Sequence, residues 1–217
     1  MGEAMRLYHD RTEAGRDLAQ RLMAHKIIDP MLFALLRGGV PVASMISRMM
    51  GLSFEVLITR QISYPGHPEW ALGVMTEDGN PLLTKEINYA DPRILEVINY
   101  ERQEQKRMRE LYRQGGAVPK VEGRNVVLID DGLETSDTAL SAGKFLKEHG
   151  SKTVTLAVAV APFYEGELLA RYIDRIVCPH HIQGLKSIRE CFQEFRNVSD
   201  HEVLGLLGRD TDMINIS

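Results

Sequence analysis

The sequence predicts an α/β protein built on a mostly parallel sheet with helices on its faces. Two observations carry that expectation. Short apolar runs rich in β-branched residues (31–36, 54–58, 126–129, 153–160, 173–177) recur along 217 residues, separated mostly by segments of helical apolar period. Two of these runs, 31–36 and 126–129, lead straight into glycine-bearing turns with charged residues, where such folds place ligands.

In chain order, Asp10 is a helix cap, and Ala14, Leu18, Leu22 and Met23 share one face of a helix over 10–24. Met31–Leu36 reads as a strand, followed by Arg37-Gly38-Gly39 and a helix beginning at Val40. Phe54–Ile58 is a third strand. It feeds Thr59 to Trp70, a stretch punctuated by Pro65, Gly66 and Pro68 that reads as a long loop of the kind that forms lids. Thr76–Pro81 reads as a hairpin turn. Asp91-Pro92 starts a helix to about Gln114, with Ile94, Ile98, Met108 and Tyr112 on its apolar stripe and the charges of Glu101–Glu110 on a solvated face. Strands follow at 126–129, 153–160 and 173–177.

The chemistry concentrates at two sites. In Val126–Thr138, a buried strand ends on Asp130-Asp131 and passes through Gly132, Leu133, Glu134, Thr135, Ser136, Asp137 and Thr138 into a helix. A helix start presents free N–H groups and a positive dipole end to phosphate, hydroxyls add donors, and adjacent carboxylates can accept from ribose hydroxyls. The structural alternative is a strand end and helix cap. At Arg37-Gly38-Gly39, glycines let backbone approach a ligand closely, and the arginine supplies a cation suited to phosphate. A tight turn with a solvated arginine is the alternative there.

The first stretch resembles the ribose-phosphate loop of type I phosphoribosyltransferases: four apolar residues, two acids, then Thr-Gly-x-Thr, with Ser136 in the glycine's place. Arg37–Ala43, Arg60, Pro65-Gly66, Pro68-Glu69 and the tail 187–207 resemble one subgroup of that family, with Gln61 replacing its lysine. The resemblance implies a single domain over 1–217, with a core to about 180 and a small hood or cap over 181–217. It implies transfer of a phosphoribosyl group from phosphoribosyl pyrophosphate to a nitrogen nucleophile on a nucleobase-like acceptor, with Mg²⁺. Asp130 and Asp131 would hold ribose hydroxyls and the metal, directly or through water. Thr135–Thr138 would hold the 5′-phosphate, and Arg37 with Gly38 and Gly39, helped by Arg60, the diphosphate. Glu134 sits where purine-type enzymes carry a proton-handling acid. A homodimer and a role in nucleotide metabolism also follow from the resemblance.

Ser136, Asp137 and Gln61 favour a second class, a relative that binds phosphoribosyl pyrophosphate or a nucleotide in a regulatory role without catalysis. A net charge of −4 argues against general nucleic-acid binding. No apolar run is long enough to span a bilayer, and two cysteines make no disulfide framework, so a cytoplasmic location is expected. Cys178-Pro179-His180-His181 has no second cluster at ligand spacing and is not expected to bind zinc. Phe192 and Phe195 are expected in packing rather than against a base.

Overall fold

In the computed structural model, which describes residues 6–84, 91–163 and 169–209, five parallel strands form the main sheet. They are β1 (Pro30–Leu35), β2 (Phe54–Leu57), β6 (Asn125–Asp130), β7 (Thr153–Val158) and β9 (Arg175–Val177), in the order β2-β1-β6-β7-β9. The alternation of strand side chains divides the interior. Leu32, Ala34, Val127 and Ile129 join one cluster with α1 (Arg11–Ala24) and α2 (Gly39–Met50). Phe33, Leu35, Val126 and Leu128 pack on the other face against α4 (Asp137–Glu148). Both faces are therefore covered, as a parallel sheet requires.

Local signals explain the helix ends. The Asp10 side chain accepts from the Glu13 amide at the start of α1, and Asp91 does the same for Arg93 ahead of Pro92 in α3 (Pro92–Arg113). Gly51 closes α2 in a left-handed conformation. Met23, expected on the buried face of α1, is instead 43 % exposed at the last turn.

Residues 59–70 are not a long loop. They begin an antiparallel hairpin, β3 (Arg60–Tyr64) with β4 (His67–Met75), closed by the two residues Pro65-Gly66 and continued by β5 (Pro81–Leu83). Proline followed by a glycine of positive φ is the chemistry of a tight turn. The expected turn at Thr76–Pro81 joins β4 to β5, with the Thr76 amide donating to the Asn80 carbonyl.

The face of α3 also differs from the solvated surface expected. Ile94, Ile98, Met108 and Tyr112 are buried, but Glu101 and Gln105 are buried beside them, completing a seam at alternating spacings of four and three. Each polar member is paired: Glu101 with Arg60, and Gln105 with the carbonyls of Ile58 and Thr76. Buried polar groups survive where they are hydrogen-bonded.

The tail packs into the first core cluster. β10 (His180–Ile182) pairs with β8 (Val160–Pro162), and a 3₁₀ turn spans Ile188–Cys191. The amides of Leu7 and Tyr8 donate to the Cys191 carbonyl, and those of Gln193 and Glu194 donate to the carbonyls of Tyr8 and His9. Val203 and Leu204 of α5 (Asp200–Leu206) are buried with α1 and α2. Residues 210–217 of the expected hood lie outside the described residues.

Candidate functional site

Strand order fixes where the site lies. From β1 the chain moves outward to β2 on one side, and from β6 to β7 and β9 on the other. The order therefore reverses between β1 and β6, and ligands of open α/β sheets bind beyond the carboxyl ends of the strands at such a point. Three adjacent carboxyl ends meet there. β1 runs into Arg37-Gly38-Gly39, β6 into Asp130-Asp131, and β2 into Thr59-Arg60, with Leu35 paired to Leu57 and Ala34 to Ile129.

The glycine loop is held against the acidic pair. A Cβ on Gly39 would collide with the Ile129 carbonyl oxygen and stand 3.0 Å from the Asp130 Cα, so only glycine allows α2 to start so close to β6. A Cβ on Gly38 would fall 2.8 Å from Oδ1 of Asp131 and nearer still to its other oxygen. The Leu36–Arg37 peptide is cis. Helix α2 begins with no side-chain cap.

The two carboxylates have different surroundings. Asp130 is half-buried, and one of its oxygens accepts from the Asp131 amide. Burial, then the neighbouring Asp131 charge, push its pKa well above the usual carboxylate value. Asp131 is 4 % exposed and does not face an open site. Its Oδ2 accepts from Nε of Arg11 at 2.7 Å, in a pair whose side chains are 10 % and 5 % exposed. Burial raises the Asp131 pKa against the opposing pull of Arg11. The Arg11 guanidinium also donates to the Arg196 carbonyl at 2.8 Å and lies 3.9 Å above the Phe195 ring. The expectation that both carboxylates grip a ribose thus meets a structure in which only Asp130 is partly open.

Beyond Asp131, the loop is fastened at several points. The Leu133 amide donates to the Val160 carbonyl, and Gly132 packs against Ile188 and Val160 too closely for any side chain. One oxygen of Glu134 accepts from the Ser187 hydroxyl at 2.7 Å and from the Ile188 amide at 3.0 Å, tying the loop to the 3₁₀ turn. Thr135 is exposed, Asp137 and Thr138 are half-buried, and Ser136 is buried with no hydrogen bond to its hydroxyl. Helix α4 begins at Asp137 with no side-chain cap, so its first amides are not satisfied by a local carboxylate or hydroxyl.

Beside the glycine loop lies a cavity of about 280 Å³ lined by Arg11, Arg37, Gly38, Thr59, Arg60 and Asn197, among others. Arg60 is held at 2.7 Å by Glu101 of α3. Nε of Arg37 lies 2.7 Å from Oδ1 of Asp200 and 3.4 Å from the Tyr112 hydroxyl. Although burial opposes it, Tyr112 and Asp200 raise the Arg37 pKa further, so this cation stays charged. The backbone preceding Arg60 is pinned on both sides: the Ile58 amide donates to Glu77, and its carbonyl accepts from Gln105. Glu77 is itself buried and paired with Arg113.

Of the residues singled out from the sequence, Arg37, Gly38 and Arg60 line this cavity, whereas Gly39 and Asp130–Thr138 do not. Sequence reasoning missed Arg11, Glu101, Tyr112 and Asp200. Phe192 is buried against Tyr8, and Phe195 carries the Arg11 guanidinium, so both rings are in packing. Cys178 donates to the His180 carbonyl, burial lifts its thiol to about 11, and among the described residues no cluster of three metal-ligating side chains exists.

Three arginines line a cavity at the switch point of a parallel α/β sheet, beside a helix that starts without a side-chain cap. The chain belongs to the phosphoribosyl transferase family, whose domain model matches residues 7–178. A Mycobacterium tuberculosis protein bearing the name "Putative phosphoribosyl transferase" is 32 % identical over 209 residues, which is 94 % of this chain and 47 % of that one. This chain therefore spans about half the length of that relative. The crystal structure of TT1426 from Thermus thermophilus shares 29 % identity at a TM-score of 0.75, covering 92 % of this chain and 97 % of that one. A hypothetical protein from Neisseria gonorrhoeae with bound ppGpp shares the fold at 13 % identity and a TM-score of 0.50, covering 93 % and 95 %.

Proposed function

We propose that the protein transfers a phosphoribosyl group from phosphoribosyl pyrophosphate, with Mg²⁺, to a nitrogen atom of a nucleobase-like acceptor. The observation that carries this reading is the arginine-lined cavity beside Gly38 at the sheet's switch point. Arg37, Arg60 and the backbone of Gly38 and Gly39 would take the diphosphate, and its departure would leave a cationic ribose for the site to stabilise. The amides opening α4, with Thr135, Ser136 and Thr138, would seat the 5′-phosphate. Asp137 is a first-turn acid favoured by the helix dipole. Asp130 would accept from the ribose hydroxyls.

The donor set fits a magnesium ion. Such ions keep several waters and take one or two carboxylates together with phosphate oxygens. Asp130 is a partly open carboxylate whose negative charge is penalised by burial and by Asp131, and a nearby cation relieves that penalty. Asp130 would hold the ion, with Asp131 behind it through water. When bound, the ion would neutralise charge on the diphosphate. Asp131, through Arg11 and Gly38, would fix the glycine loop in place.

The reading takes the protein as a cytoplasmic homodimer in nucleotide metabolism, with 181–217 as the hood that selects the acceptor. Glu134 would handle a proton of the acceptor only by leaving Ser187 and Ile188. That engagement, with the neutralisation of Asp131 by Arg11, favours a second reading: a relative that binds phosphoribosyl pyrophosphate without turning it over. Pyrophosphate release with a panel of purines and pyrimidines separates the two. Turnover that Asp130→Asn abolishes supports the enzyme, whereas binding without release supports the regulatory relative.

A further inference from the structure

Each guanidinium of the cavity is already paired with a carboxylate from a different part of the chain: Arg11 with Asp131, Arg60 with Glu101, and Arg37 with Asp200. A diphosphate entering the cavity meets cations whose charge is compensated. The three pairs differ in how readily they can open. Side-chain exposure is 10 % and 5 % for Arg11–Asp131, 28 % and 11 % for Arg60–Glu101, and 39 % and 24 % for Arg37–Asp200. Separating a buried pair strands a charge away from water, while a partly exposed pair costs little to part. Only Asp200 can yield its guanidinium cheaply.

Asp200 has a second hold. The Tyr112 hydroxyl donates to its Oδ1 at 2.6 Å, so the carboxylate keeps a partner when Arg37 turns away. It is carried on α5, in the same tail whose Phe195 ring and Arg196 carbonyl hold Arg11. The tail therefore supplies the group that competes with a ligand for Arg37.

We infer that Asp200 is an autoinhibitory contact of the anion site: it occupies Arg37 as an internal carboxylate that a phosphate ligand must displace. The inference rests on the proposed phosphoribosyl pyrophosphate site and names the group that sets its affinity. A diphosphate offers Arg37 more negative charge than Asp200 does and exchanges favourably. Displacing Asp200 costs the same for every anion that takes Arg37, so the contact lowers the affinity for all of them alike.

The test is calorimetric titration of wild type and Asp200→Asn with pyrophosphate and with orthophosphate, both with Mg²⁺. Asp200→Ala serves as the second variant, and circular dichroism checks the fold of each. The expected result is tighter binding of both anions by the variants, about three- to fivefold for pyrophosphate on the scale of a partly exposed ion pair. Orthophosphate should gain by a similar factor, because it displaces the same carboxylate. In an Arg37→Ala background the same substitutions should change neither affinity. Unchanged or weaker pyrophosphate binding in folded Asp200 variants overturns the inference and leaves the proposed function standing if wild type binds phosphoribosyl pyrophosphate. Absence of binding by wild type and variants alike overturns both, and binding by the variants alone supports the inference.

Discussion

Replacing Arg11 by methionine keeps most of the side-chain volume and removes the cation that faces Asp131. The pair is buried, its partners lie 120 residues apart, and Asp131 has the Gly38 backbone against its carboxylate. Breaking such a pair by deleting one partner costs about 3–5 kcal/mol, because the remaining charge stays buried without compensation. For a chain of this size that loss lowers the midpoint of thermal unfolding by about 6–20 °C. The deficit should depend on pH in a definite sense. Burial already raises the Asp131 pKa in the native state, and Arg11 is the strongest influence holding it down. Above the ordinary aspartate value of about 3.9, the native state then binds more protons than the unfolded chain, so stability falls as pH rises through that window. Without Arg11 the window extends upward. Urea unfolding of wild type and Arg11→Met at pH 7 and near pH 4.5 should show the larger deficit at pH 7. A deficit under about 1 kcal/mol, the scale of a surface pair, or one that grows on acidification, refutes the assignment of Asp131 as a buried carboxylate held by Arg11.

Two further outcomes follow from the loops. Gly38→Ala drives a methyl group into the Asp131 carboxylate, which Arg11 prevents from moving aside; it should cost about 1–3 kcal/mol in urea unfolding and weaken pyrophosphate binding. Glu134→Ala removes the acceptor of the Ile188 amide, so hydrogen exchange at Ile188 should accelerate while amides of β6 stay protected.

The sheet and its helices were legible because β1, β6 and β7 are mostly apolar runs buried on both faces, and because Asp10 and Asp91 cap helices through contacts three or fewer residues away. Gly38, Gly39 and the 130–138 stretch were legible as turns at strand ends, but the contacts that hold them, with Asp131, Ile129, Val160 and Ile188, come from distant parts of the chain. The hairpin over 60–75 was obscured by Pro65, Gly66 and Pro68, which read as breakers. Yet Pro65-Gly66 is itself the tight turn, and Pro68 stands in the exposed half of β4. The burial of Glu101 and Gln105 could not be read from α3, because a charged residue on an apolar stripe stays buried only if a partner arrives. Those partners, Arg60 and the carbonyls of Ile58 and Thr76, are 29 to 47 residues away. Arg11 and Asp200 are the extreme case. As single charged residues near helix starts they carry no motif, and their partners lie 120 and 163 positions distant, at Asp131 and Arg37.

The measurement that bears most directly on the site is calorimetric titration with phosphoribosyl pyrophosphate and Mg²⁺, on wild type and on Asp130→Asn. Saturable binding by wild type is expected, weakened about tenfold or more in the variant, the scale of one lost charge-assisted hydrogen bond. No binding by wild type, or equal affinity in the two proteins, would contradict a sugar-phosphate site at the carboxyl ends of β1 and β6.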